Sequence, residues 1–222
     1  MGVVLLVRHG QASFAADDYD VLSETGWAQG RLLGSWLAER DVTPTAIVHG
    51  ELRRQRDTGV AMIEGAGWDV EMDVDPGWDE FDFDFLRAGK AYPDVDVSDR
   101  RAFQRLFEHA TTRWTAGETG GFTESYADFG TRVRAALDRA TAGAGPGGTV
   151  VVVSSGGPIA VSCSALMDPE AEDPAVAGRL WHRFNTVIVN SSVSRVVVGA
   201  TGARLLTFNE HPHLEADHLT YR

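Results

Sequence analysis

The sequence predicts an α/β fold: a mostly parallel central sheet with helices on both faces, three layers deep, with a helical insertion at about 77–147. Three observations carry that expectation. The runs VVLLV at 3–7, TAIVH at 45–49 and TVVVVS at 149–154 are short and almost wholly apolar, as strands buried on both faces of a parallel sheet are. Helical patterns lie between them, and alternation of strand and helix favours a parallel sheet covered on both sides. No repeat or low-complexity linker marks a boundary, so a single domain spanning 1–222 is expected.

Each element follows in order. After the first strand, Ser23 is a good N-cap for a helix to about Arg40, with Trp27, Leu33, Trp36 and Leu37 on one stripe. A helix over 51–64 follows the second strand, and WDVEMDV at 68–74 is a weaker strand candidate. Residues 99–116 and 125–142 read as helices, and TAGAGPGG at 141–148 is the loop that launches the third apolar strand. A helix over 158–167 comes next, and two strands at 185–199 and 203–208 joined at Ala200-Thr201-Gly202 close the chain.

Charge excludes several functions. The 222 residues carry 32 acidic against 20 basic side chains, a net of −12. Such a surface repels duplex DNA and anionic membranes, and no basic run offsets it. The apolar runs are far shorter than the roughly 18 residues of a membrane span. No basic n-region or cleavage site suggests a signal peptide, and Leu6 breaks a myristoylation pattern. Cys163 is alone, which excludes an internal disulfide. A cytoplasmic protein is expected. Lys90 is the only lysine; a GC-rich genome explains most of the arginines, and two-pronged contacts to phosphate or carboxylate the remainder.

In parallel sheets ligands bind beyond the carboxyl ends of the strands, and chemistry stands at three such ends. Arg8-His9-Gly10-Gln11 follows the first strand. GELRRQRDTG at 50–59 follows the second and opens a helix with Arg53, Arg54 and Arg56. Ser154-Ser155-Gly156-Gly157-Pro158 follows the third, a Gly-rich turn into a helix whose free amides suit an anion.

Taken together, VVLLVRHGQ, LSETGWAQGRLLGSWL at 22–37, Leu52, Arg54 and Thr58 in IVHGELRRQRDTG, DPGWDEFDF at 75–83, VVVVSSGGPI at 150–159 and FNEHPHL at 208–214 resemble the histidine phosphatase superfamily, the phosphoglycerate-mutase-like proteins. The resemblance spans essentially the whole chain. It implies that His9 attacks phosphorus, that Arg8 and Arg54 hold the non-bridging oxygens in charge-assisted forks, and that Glu80 protonates the leaving alkoxide. Asp79 and Asp82 would help raise the Glu80 pKa; a solvated acidic loop with Asp75 and Asp84 is the competing account. The resemblance also implies substrate contacts from Gly10, Gln11, Ser23, Ser155 and Gly156. Ser23 serves equally as a plain helix cap.

Two departures stand out. The fourth motif of the family reads Ser-His-Gly-Gly, and here Ser155 holds the histidine position; the Asn usual after the first motif is missing from Ala12–Ala16. Losing one preorganised donor costs about 3 kcal/mol in a transition state. His213 is a candidate to fill the space, with His211 and His218 as further choices, although structural roles for this segment come first. A metal site at EHPHLEADH is not expected, since Pro212 and a loop composition fix no ligand geometry, and no cofactor is implied.

The resulting expectation is a metal-independent phosphatase of a small phosphorylated metabolite, working through a phosphohistidine. The alternatives are a weakened protein that binds a phosphorylated ligand, and mutase-type phosphoryl transfer. The insertion, with Trp78, Phe81, Phe83, Phe85, Trp114, Arg87, Arg100 and Arg101, would choose the substrate, its aromatics being mostly core. Apolar strand edges near the C-terminus would permit a homodimer.

Overall fold

The computed structural model describes residues 1–13, 20–83, 86, 99–118, 121–169 and 173–221, with the backbone alone at Arg100 and Pro174. Asp84, Phe85, Arg87, Lys90, the Arg100 side chain and residues 14–16 lie outside this description.

One six-stranded sheet organises the chain. Its strands are β1 (Gly2–Arg8), β2 (Ala46–His49), β3 (Met72–Val74), β4 (Thr149–Ser154), β5 (Val193–Gly199) and β6 (Gly202–Glu210). Their order is β3-β2-β4-β1-β5-β6. The first four are parallel, and β5 and β6 add an antiparallel edge. Six helices accompany it among the described residues: α1 (Glu24–Ala38), α2 (Arg53–Ala66), α3 (Arg100–Thr115), α4 (Tyr126–Gly143), α5 (Gly156–Met167) and α6 (Pro174–Asn185).

The doubly buried strands explain the layers. Side chains alternate across a strand, and both faces here are apolar. Val4, Leu6, Val150 and Val152 face one core with Phe129 and Val133 of α4, Ile159 of α5 and Trp181 of α6. Leu5, Val7, Val151 and Val153 face the other, with Leu33 and Leu37 of α1 and Met62 of α2. The fold is therefore the three-layer α/β/α sandwich expected, and α3 and α4 form the expected helical insertion. Within it Phe81 is a hub: its ring centroid lies 4.7 Å from Trp114, 5.6 Å from Phe129 and 5.8 Å from Trp181. Phe83 packs half-buried against the same cluster.

The clearest difference from the sequence expectation is at 174–192. Helix α6 was not foreseen, although Asp173 caps it through Ala175 N and Pro174 opens it, a common helix start. The strand expected from 185 begins only at Val193. Ser191 has φ of 63°, a left-handed conformation that cannot continue a strand, so residues 186–192 fold back on the sheet end instead. The third strand is likewise shorter than 68–74. No described helix is long and apolar enough to cross a membrane.

Candidate active site

The sheet delivers the site. Val7 pairs with Val153 and Arg8 with Ser154, and His9 N donates to Ser154 O at 2.8 Å. The register thus sets His9 beside Ser155 on adjacent strands. Both continue the face that carries Val7 and Val153, toward α1 and α2. The folded-back loop braces this end: Ser191 N donates to Arg8 O and His9 O at 3.1 and 3.3 Å, and Asn190 Nδ2 donates to His9 O at 3.3 Å.

His9 is buried, at 3% exposure, and its ring is pinned on both nitrogens. Nδ1 lies 2.7 Å from Gly10 O. A carbonyl can only accept, so Nδ1 carries the proton and Nε2 presents its lone pair. Arg54 Nε donates to that Nε2 at 3.2 Å. Burial, and then the charges of Arg54 and Arg8, hold the His9 pKa well below the ordinary 6.5. The imidazole is therefore neutral. Arg8 is anchored by the C-terminal chain, its NH1 donating to Tyr221 O at 2.8 Å and to Ile188 O.

Helix N-termini complete the site. The first amides of a helix need acceptors, and four of the six described helices supply their own from a capping side chain: Ser23, Asp99, Ser125 and Asp173. The N-caps of α2 and α5, Leu52 and Ser155, make no such bond. These two termini borrow carboxylates from elsewhere. At α2, Asp20 accepts from Arg53 N at 2.8 Å, Arg54 N at 3.4 Å and Arg54 NH1 at 2.7 Å. At α5, Glu80 Oε2 accepts from Gly157 N at 3.0 Å, while its Oε1 accepts from Phe81 N at 3.2 Å. A Cβ on Gly157 would stand 2.0 Å from Glu80 Oε1, so only glycine admits the carboxyl there. Desolvation raises the Glu80 pKa above the ordinary 4.5, against the lowering effect of those amides and of Arg54 and Arg8. The two guanidinium charges thus act on His9 and Glu80 alike, and Arg8, His9, Arg54 and Glu80 occupy one site.

The remaining sequence candidates divide. Ser155 is buried beside His9, and its Oγ accepts from Gln55 Nε2 at 2.9 Å. Gly156 opens α5 between Ser155 and Gly157. Gly10 and Gln11 serve as frame: Gly10 N donates to Thr58 Oγ1 at 2.9 Å and Gln11 N to Gln29 Oε1 at 2.8 Å. A Cβ on Gly10 would meet Gly26 O at 2.5 Å, so this glycine admits the close approach of α1. Ser23, a phosphate contact by resemblance, instead caps α1 through Gly26 N at 3.1 Å and gives its hydroxyl to Gln11. His213 does not join the site through any described contact. Its Nε2 lies 3.4 Å from Ser191 Oγ and its ring 6.0 Å from Trp36, and burial lowers its pKa to about 4. His211 bonds Asn209 O at 2.6 Å. No described group of His, Cys, Asp or Glu side chains is arranged to hold a metal.

Asp20 and Gln55 were not foreseen from sequence. No local signal marks Asp20, and Gln55 reads as one more polar residue in a charged helix start.

The family model of the histidine phosphatase superfamily (branch 1) matches residues 4–211. No curated protein sequence matches the chain. Among solved structures, the mycobacterial glucosyl-3-phosphoglycerate phosphatase with VO3 superposes with a TM-score of 0.66 at 24% identity, over 95% of this chain and 100% of that one. Bacillus stearothermophilus YhfR gives 0.68 at 19%, over 96% and 99%. A phosphoglycerate mutase from Bacillus anthracis gives 0.66 at 18%, over 96% and 94%. At these identities the likeness is one of fold. The family match over almost the whole length decides the assignment: the chain belongs to the histidine phosphatase superfamily, branch 1.

Proposed function

We propose that the protein is a cytoplasmic phosphatase that hydrolyses a small phosphorylated metabolite through a phosphohistidine on His9. The observation that carries this reading is the neutral His9 ring, with Nδ1 tied to Gly10 O and Nε2 presented to Arg54. In the first step Nε2 attacks phosphorus and the ester P–O bond breaks. Glu80, whose carboxyl burial shifts toward holding its proton, gives that proton to the leaving alkoxide. Water then attacks the phosphohistidine, Glu80 takes the proton of that water, and inorganic phosphate leaves with His9 neutral again. Arg54 must exchange its bond to Nε2 for a phosphoryl oxygen as substrate enters, while Arg8 adds charge beside it. Net charge of −12 confines this attraction to the pocket.

The test is release of phosphate from an aryl phosphate without added metal. Wild type should turn over, and His9→Ala should abolish release along with an acid-labile, base-stable protein phosphate trapped by rapid quench. Activity that survives His9→Ala, or that requires a divalent ion, refutes the mechanism. Saturable phosphate binding with no turnover would instead favour a ligand-binding protein.

A further inference from the structure

Gln55 follows Arg54 on the first turn of α2, and the two side chains reach the two adjacent strand ends: Arg54 to His9, Gln55 to Ser155. Gln55 is fully buried, at 0% exposure. Its Nε2 donates to Trp78 O at 3.2 Å and to Ser155 Oγ at 2.9 Å. The carbonyl of Trp78 can only accept, so the nitrogen must face it, which fixes the amide and makes Ser155 Oγ the acceptor of the second bond. A hydroxyl that accepts in this way keeps its own proton to give. Ser155 Oγ accepts no capping bond from the amides of its own helix, so Gln55 Nε2 is the donor that orients it.

The other end of the amide is informative too. Gln55 Oε1 is buried without a hydrogen-bond partner. An unpaired buried acceptor is destabilising, a cost that a leucine of similar shape would avoid. Trp78 O does not need the amide either, since Ser154 Oγ donates to it at 2.7 Å. What glutamine does here and leucine could not is orient Ser155.

We propose that Gln55 is a positioning residue that turns the Ser155 hydroxyl proton toward the phosphoryl group over His9, so that a neutral Gln55–Ser155 pair supplies the donor for which the family uses a histidine. The inference rests on the phosphohistidine reading and adds the second donor of that site. It places the donor on a pair that does not titrate, leaving the pH response of the site to His9 and Glu80.

A double-mutant cycle on aryl phosphate, with vanadate binding by calorimetry alongside, tests it. Ser155→Ala should lower kcat about 100-fold, as loss of one preorganised donor does. Gln55→Leu should lower kcat about tenfold with little change in KM and no matching fall in Tm, and should cost nothing further in the Ser155→Ala background. Gln55→Glu should be worse than Gln55→Leu, because a carboxylate draws the Ser155 proton to itself. Vanadate affinity should fall in the same pattern, which reads the pair even without turnover. Additive losses in the cycle, or a Gln55→Leu effect that merely tracks loss of folded protein, overturn the inference and leave the phosphatase reading standing. Loss of the reading itself shows elsewhere, as turnover indifferent to His9→Ala.

Discussion

The N-termini of α2 and α5 meet at the sheet end that carries His9, and they solve the same problem with opposite chemistry. Both lack a cap of their own and take a carboxylate from a distant loop. At α2 that carboxylate, Asp20, is paired with the Arg54 guanidinium as well as with two amides. At α5 the carboxylate, Glu80, accepts from two backbone amides, and desolvation outweighs these and the charges of Arg54 and Arg8, so its proton is held more tightly than usual. One terminus is therefore built around a guanidinium–carboxylate pair, and at the other burial favours the protonated carboxyl. Phosphoryl transfer needs both, a cationic wall for the oxygens and an acid for the leaving group. The second histidine of the family would have added positive charge on the α5 side, beside the acid. Here Ser155 leaves that side neutral, and the cationic burden falls on α2 and on Arg8.

If that division holds, the largest loss should come from the α2 side. Arg54 Nε and NH1 reach His9 and Asp20 at once, a fork that the single ammonium of lysine cannot copy. Arg54→Lys should lower kcat/KM by about 10²–10³, the range for removing an oxyanion donor. A loss smaller than that of Ser155→Ala in parallel steady-state assays would break the comparison.

On the α5 side the proton rather than the charge is decisive, and pH separates the two. His9 is neutral above its lowered pKa and Glu80 protonated below its raised one, so kcat/KM should peak at mildly acidic pH and fall as pH rises through the Glu80 pKa. Glu80→Gln should remove the falling limb. For alkyl phosphates it should cost about 10², within the usual worth of a general acid. Aryl phosphates, whose phenolates leave without help, should suffer far less. An equal loss on both substrate classes would mean that Glu80 does not protonate the leaving group.

The same contrast explains what the sequence discloses. The apolar runs, the strand-end residues Arg8, His9 and Ser155, and the helix caps are local features, legible because a strand or a cap needs only its neighbours. Glu80 is readable only through resemblance, for its significance lies in the amide of Gly157, 77 residues away. Asp20 and Gln55 act across 34 and 100 residues, through the sheet register and the placing of α2. Nothing in their own surroundings in the chain announces them. Ser191 is similar: its left-handed backbone ends a stretch whose β-branched composition alone reads as one long strand.

The smallest expected effect belongs to a helix that caps itself. Ser23 accepts from Gly26 N and donates to Gln11, so both its lone pair and its proton are engaged in the frame of the site. Ser23→Ala should therefore cost about 1 kcal/mol of unfolding free energy, the usual worth of an N-cap, while kcat/KM stays nearly unchanged. Denaturant unfolding reads the first quantity and steady-state kinetics the second. A large loss of activity at unchanged stability would give Ser23 the phosphate contact that the family resemblance implies. It would also mean that substrate draws the hydroxyl away from Gln11, and the distinction between self-capped and borrowed termini would then fail at α1.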